Sequence, residues 1–316
     1  MQNDLRIVFM GTPDFAVGIL KKMIEAGKNV VGVVTAPDKP AGRGRKLIGS
    51  AVKEYSLSQN LTILQPQNLK DENFLNELKS LDANLQVVVA FRMLPKVVWQ
   101  MPQLGTFNLH ASLLPQYRGA APINWAIINN EETTGVTTFF IDEKIDTGTI
   151  IANEKIRIEK NETAGTLHDK LNTLGGELVI KTLQLIEEGK AEAKPQTENS
   201  RIKEAPKLTA ENTRIDWTKS GAEIIALIRG LSPYPTAWTT LKNEGEALKI
   251  KIYSASFENK DHSLEPGTIE TSKKSIKVAC SDGYIIIDEI QFPGKRKMDS
   301  PSLLNGYSFD ADSKLL

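Results

Sequence analysis

Residues 85–91 read Leu85-Gln86-Val87-Val88-Val89-Ala90-Phe91, and this run decides the fold. Three successive valines are stiff at χ1 and favour pleated backbone over helix. A strand that is apolar on both faces has to be covered on both, which is the situation of a parallel sheet between two layers of helix. Toward the N-terminus the same kind of run recurs as LRIVFM (5–10), NVVGVVT (29–35) and LTIL (61–64). Amphipathic stretches predicted as helices over 14–26, 50–59 and 71–81 lie between them. Toward the C-terminus, GTFNLH (105–110) and GVTTFFI (135–141) read as further strands around a helix near 122–130, and TIIANEKIRI (149–158) leads into a helix over 163–188. The alternation predicts an α/β domain built on an open, Rossmann-like, mostly parallel sheet.

The rhythm stops after Gly189. Residues 190–208 are polar, carry Pro195 and Pro206 and show no period, so they read as a linker between a first domain, 1–189, and a second, 209–316. Past it, one helix around Ala222–Arg229 precedes short alternating runs such as TAWTTL, ALKIKIYSASF, SIKVAC and GYIIIDEI. Short strands broken by Gly, Pro and Asp predict a smaller β-barrel of OB-like type. A length of 316 residues accommodates two domains at roughly 150 residues each. A single cysteine, Cys280, excludes an internal disulfide and a multi-cysteine metal site. Lys plus Arg and Asp plus Glu balance at 39 each, so a polyanionic partner has to be argued from local clusters. With no signal-peptide pattern and no apolar run of about 18 residues, a cytoplasmic protein without membrane attachment is expected.

Three segments concentrate polar chemistry. RIVFMGTPDFAV (6–17) is a strand, a glycine turn and a helix start, with Thr12 expected as N-cap and Pro13 at the first helical position. It lacks the GxGxxG pattern of dinucleotide sites. The stretch after the second strand, TAPDKPAGRGRKLIGSAVK, carries Lys39, Arg43, Arg45 and Lys46 among glycines, with no acid between Asp38 and Glu54. Taken as a solvated loop it does nothing, whereas its backbone and cations also suit a phosphate chain. The densest constellation is GTFNLHASLLPQYRGAAPINWAI (105–127). On an extended strand, period-two alternation puts Asn108 and His110 on one face. There an amide dipole and an imidazole together suit an oxygen that becomes negative. The turn IDEKIDTGTII (141–151) offers three acids, Asp142, Glu143 and Asp146, and spacing does not choose among them.

These segments, in this order, resemble the methionyl-tRNA formyltransferases. The likeness rests on FMGTPDFA, PDKPAGRGRKL, QPQNL, VVVAFRMLPK, NLHASLLPQYRGAAPI, GVTTFFIDEKIDTGTI and RIDW…LSPYPTAW, and so spans nearly the whole chain. It implies transfer of the formyl group of 10-formyltetrahydrofolate to the α-amine of methionine on initiator methionyl-tRNA, for translation initiation. It implies Asn108, His110 and Asp146 as the catalytic trio, with no metal. Folate contacts fall, by the same resemblance, on Phe91, Arg92, Met93, Leu94, Ser112, Leu113, Leu114, Pro115, Ile141 and Asp142. Where many members carry Tyr-Gly this chain has Phe91-Arg92, which leaves Arg92 facing either the folate tail carboxylates or solvent. Contacts with tRNA fall on Lys39, Arg43, Arg45 and Lys46, and in the second domain on Lys295, Arg296 and Lys297, with a monomer expected. From Thr209 onward 14 basic residues meet 15 acidic ones, so any tRNA contact there depends on such clusters. A formyltransferase for a small amine, a formyltetrahydrofolate hydrolase or a non-catalytic tRNA-binding protein are the competing expectations.

Overall fold

The computed structural model describes residues 4–41, 46–197 and 201–316. In chain order the elements through residue 205 are β1 (Ile7–Gly11), α1 (Asp14–Glu25), β2 (Val30–Val34), β3 (Lys39–Ala41), β4 (Lys46–Ile48), α2 (Ala51–Ser58), β5 (Ile63–Leu64), α3 (Glu72–Ser80), β6 (Leu85–Val89) and α4 (Lys96–Trp99), then β7 (Thr106–His110), β8 (Arg118–Gly119), α5 (Pro122–Ile128), β9 (Thr133–Phe140), β10 (Ile150–Arg157), α6 (Ala164–Glu187) and β11 (Glu204–Ala205). Seven strands form one sheet in the order β10-β9-β7-β6-β1-β2-β5. Strands β5, β2, β1, β6 and β7 run parallel, and β9 is antiparallel to β7. β1 and β6 are fully buried, as their apolar runs predict, and the one polar residue, Gln86 in β6, is buried with them. The chain builds outward from β1 to β5 and then returns to lay β6 on the other side of β1. Such a reversal opens a crevice at the carboxyl ends of the two strands, where open α/β sheets place their ligands.

The corner after β1 is tight. A Cβ on Gly11 would sit 2.6 Å from Ala16 Cβ and 3.0 Å from Val89 O, so only glycine lets α1 approach the strand this closely. The helix begins one residue later than Thr12 and Pro13 suggest. Pro13 itself is the N-cap, extended at φ −83° and ψ 176°, and its carbonyl accepts from Ala16 N at 2.9 Å. A proline has no N–H to satisfy, so it can end the turn and still start the helical ladder through its oxygen.

Two other expectations need revision. The basic stretch after β2 contains a small antiparallel hairpin, β3 against β4, with Pro40 opposite Leu47. The 190–208 stretch does not behave as a free linker. Lys194 N and O each bond Ile150 at 2.8 Å, and Lys203 O accepts from Tyr117 N at 2.6 Å. The reason is that β10 lies at the sheet edge, where its unpaired backbone groups recruit an extended segment that has no period of its own. By packing, the first compact unit takes 1–119, 134–156 and 168–204, and the second takes 120–133, 157–167 and 205–316.

The second unit contains α7 (Gly221–Leu231), β12 (Ala237–Asn243), β13 (Glu246–Asn259), β14 (Ile269–Thr271), β15 (Ile276–Cys280), β16 (Gly283–Gln291), β17 (Met298–Asp299), α8 (Ser300–Leu304) and β18 (Lys314–Leu315). Its strands pair in the order β14-β15-β16-β13-β12-β18, and an antiparallel bridge between Thr268 and Lys314 brings the ends together into a nearly closed barrel. Ser220 and Glu223 form a reciprocal capping box at the start of α7. Trp217, 3% exposed, lies in the core with Ile224, Ile228, Ile250 and Ile285, and its indole N–H donates to Thr239 Oγ1 at 3.0 Å. Trp217→Ala should therefore cost about 3–5 kcal/mol, because it leaves a cavity among these side chains, while Thr239 Oγ1 keeps its own bond to Leu316 O at 2.7 Å. Guanidinium titration followed by the remaining tryptophans checks this, and an unchanged midpoint would contradict it.

Candidate active site

β7 is held on one side by β6, with Val88 opposite Asn108, and on the other by β9, with Phe139 opposite Asn108 and Thr137 opposite His110. Alternation along it sends Phe107 and Leu109 to one face of the sheet and Thr106, Asn108 and His110 to the other. The Thr106 hydroxyl is taken by Trp99 O at 2.7 Å. The Asn108 side chain is half-buried and makes no hydrogen bond among the described residues, so its amide is uncommitted.

His110 is 7% exposed and its Nε2 lies 2.8 Å from Tyr117 O. A carbonyl oxygen only accepts, so Nε2 carries a proton and the neutral ring keeps its lone pair on Nδ1. Nδ1 faces Asp146 Oδ2 at 3.7 Å. The loop that supplies the Tyr117 carbonyl is itself fixed. Ser112 Oγ donates to Gln116 O at 2.6 Å, and Thr137 Oγ1 donates to Ser112 O at 2.7 Å. Tyr117 sits at φ +60°.

The three acids of the 141–151 turn have different partners. Asp142 accepts from Thr147 Oγ1 at 2.7 Å and from Lys144 N at 2.9 Å, an Asx-type brace of the turn itself. Glu143 is paired with Lys96 Nζ at 2.6 Å, whose hydrogen bond holds its carboxyl below the ordinary value. Asp146, at φ +55°, accepts from Gly119 N at 2.9 Å and is the one of the three in contact with His110. The geometry thus separates acids that spacing alone left equivalent.

The segments with expected folate contacts are placed unevenly. Leu94 is buried with Val88 and Val98, and Phe91 and Ile141 pack against that cluster. Met93 is 65% exposed, as is Ile145 at 62% in the facing turn. The Arg92 guanidinium donates to Gln67 O at 2.8 Å and also to Pro66 O, so its head group is tied to backbone although the residue is exposed. Partial desolvation holds it below the usual arginine range. Ser112 and Leu114 are buried, and Leu113 and Pro115 are half-buried.

Of the expected tRNA contacts, Lys39 is exposed on β3, whereas Arg43, Arg45 and the Lys46 side chain lie outside the described residues. Lys295, Arg296 and Lys297 are exposed between β16 and β17, with Lys297 Nζ bonded to Glu289 at 2.8 Å. Cys280 is buried, and burial raises its thiol above the ordinary value. Among the described residues no group of three or more His, Cys, Asp or Glu could hold a metal ion, and no helix is long and apolar enough to cross a membrane. Sequence reasoning missed the backbone partners at Tyr117 and Gly119 and the side chains of Arg118 and Gln196. The first three sit in the quoted QYRG, but a backbone carbonyl or N–H leaves no signature in residue type.

Comparison with known proteins gives a consistent result. Residues 5–183 match the family described as formyl transferase, and 207–308 match the formyl transferase C-terminal domain. A methionyl-tRNA formyltransferase of Flavobacterium johnsoniae is 62% identical over 311 residues, covering 98% of this chain and 99% of that protein. One from Bacteroides fragilis is 52% identical, covering 97% of this chain and 96% of its own length. Among solved structures, an N-formyltransferase from Helicobacter canadensis, in complex with folinic acid and dTDP-3-aminofucose, shares the fold at a TM-score of 0.62 and 22% identity, covering 90% of this chain and 98% of that one. With two family models in sequence and relatives above half identity along nearly its full length, the chain belongs to the methionyl-tRNA formyltransferases, a family of folate-dependent formyltransferases.

Proposed function

We propose that this chain transfers the formyl group of 10-formyltetrahydrofolate to the α-amine of methionine on initiator methionyl-tRNA, with Asn108, His110 and Asp146 as the reacting trio. One observation carries the assignment of roles: His110 is locked through Nε2 while Nδ1 looks toward Asp146, beside an uncommitted Asn108 amide on the same strand face. The folate supplies an activated formyl carbon. An α-amine titrates near about 8, so a neutral fraction attacks without a strong base. As the carbon–nitrogen bond forms, the formyl oxygen gains charge, and the Asn108 N–H supplies a fixed donor for it. The attacking nitrogen sheds a proton to Nδ1 of His110, and Asp146 stabilises the resulting imidazolium. Return of that proton to the departing folate nitrogen closes the cycle without a covalent enzyme intermediate.

Exposed Met93 and Ile145 support the folate assignment, since a flat heterocycle covers apolar surface that water otherwise wets. Contacts along Phe91–Leu94, Ser112–Pro115 and Ile141–Asp142 belong to the same proposal. So does a division of labour in which 1–189 carries the chemistry and 209–316 supports the tRNA. In it the Lys39, Arg43, Arg45 and Lys46 stretch takes the acceptor end and Lys295, Arg296 and Lys297 take backbone phosphates. The test offers purified protein and 10-formyltetrahydrofolate three acceptors in parallel: methionyl-tRNA, free small amines and water. Formylmethionyl-tRNA is the expected product. Equal transfer to a free amine, or formate release that ignores tRNA, would overturn the reading.

A further inference from the structure

The 190–204 stretch brings one side chain, Gln196, against the turn that presents Asp146. Its Nε2 donates to Asp146 O and to Gly148 O, both at 2.9 Å. Its Oε1 accepts from Arg118 Nη2 at 2.7 Å and Nε at 3.1 Å. The two donors and two acceptor lone pairs of the amide are therefore all engaged. Arg118 is followed directly by Gly119, whose N–H holds the Asp146 carboxylate at 2.9 Å. The contacts form a closed ring: Asp146 carboxylate, Gly119 N–H, Arg118 side chain, Gln196 amide and Asp146 carbonyl. At its centre is a residue in the left-handed region, φ +55°, a conformation that non-glycine residues keep only when their surroundings hold it.

We infer that Gln196, with Arg118 behind it, is a positioning residue for formyl transfer. It fixes the backbone of Asp146 so that the carboxylate meets His110 Nδ1, and it touches no reacting atom. The Asp142 brace is internal to the turn and sets its shape, whereas Gln196 ties that shape to the rest of the sheet. Rotation of one peptide at Asp146 would carry the carboxylate away from His110, and active-site displacements of about 1 Å cost up to about a hundredfold in rate.

This rests on the proposed role of Asp146, and the experiment separates the two. Gln196→Leu removes the whole bridge, and Gln196→Glu keeps an acceptor for Arg118 while removing both donors to the turn. Each is made in the wild-type and in the Asp146→Ala background, and kcat, KM for both substrates and thermal midpoint are measured. In the wild type both variants should lose at least about tenfold in kcat with KM within about twofold. In the Asp146→Ala background the further loss should stay under about twofold, since residues that act through one another do not add. An equal loss in both backgrounds, or no loss in the wild type, overturns the positioning role. Asp146→Ala at wild-type kcat overturns the reading of the acid, and the clamp with it.

Discussion

His110→Ala should lower kcat for formyl transfer by at least about a hundredfold, or about 2.7 kcal/mol of barrier, while tRNA affinity stays within about twofold. The size follows from what is lost at one position. The ring is 7% exposed, so water does not readily replace it, and its Nδ1 is the basic position beside Asp146. Removal would abolish the proposed proton acceptor and leave the half-buried Asp146 carboxylate without the imidazole beside it. Affinity is spared because the missing group serves the reacting atoms and not the polyanion. Steady-state kinetics with methionyl-tRNA as varied substrate, beside a direct binding titration, reads both quantities. A variant that kept full turnover would remove His110 from the mechanism.

Gly148→Ala should have an effect of similar size without altering any reacting group. A Cβ at this position would lie 1.7 Å from Phe140 O, where ordinary contact needs at least 3.4 Å, and the obstructing atom is backbone. Phe140 N is bonded to Thr149 O at 3.0 Å and Gly148 O to Gln196, so neither side of the turn can yield alone. The turn would have to move by about 1 Å or more and carry Asp146 with it, for an expected loss of about a hundredfold in kcat. Circular dichroism and the thermal midpoint, read beside turnover, separate a displaced turn from an unfolded chain. Wild-type kcat in a folded variant would show that the turn tolerates the shift.

The parallel sheet was legible because its signal is local. Val87-Val88-Val89 states a strand covered on both faces, and the barrel strands announce themselves by alternation, as in the buried–exposed pattern of β12. The N-x-H spacing likewise gave the shared face of Asn108 and His110, since period two needs no tertiary knowledge. Spacing left Asp146 level with Asp142 and Glu143, and it was the family resemblance that singled it out; its contacts with Gly119 and His110, 27 and 36 positions upstream, carry no local signal. Two further things depend on contacts far apart in sequence and were not legible. The binding of 190–204 to the sheet came from an edge strand more than 40 residues earlier, and a polar run without periodicity carries no trace of it. Gln196 fell inside that run, where only its four hydrogen bonds distinguish it from a solvated glutamine.

That edge strand also determines where the chain can be divided. Composition alone would cut after Gly189, where the helical period ends. A fragment ending there would lose the partner of Ile150 and free its amide and carbonyl at the edge of β10, where unpaired backbone groups favour association with another strand. It would lose Gln196 as well. The polar stretch through Glu204 thus packs as part of the first compact unit, and a fragment has to extend through Glu204 to keep these contacts.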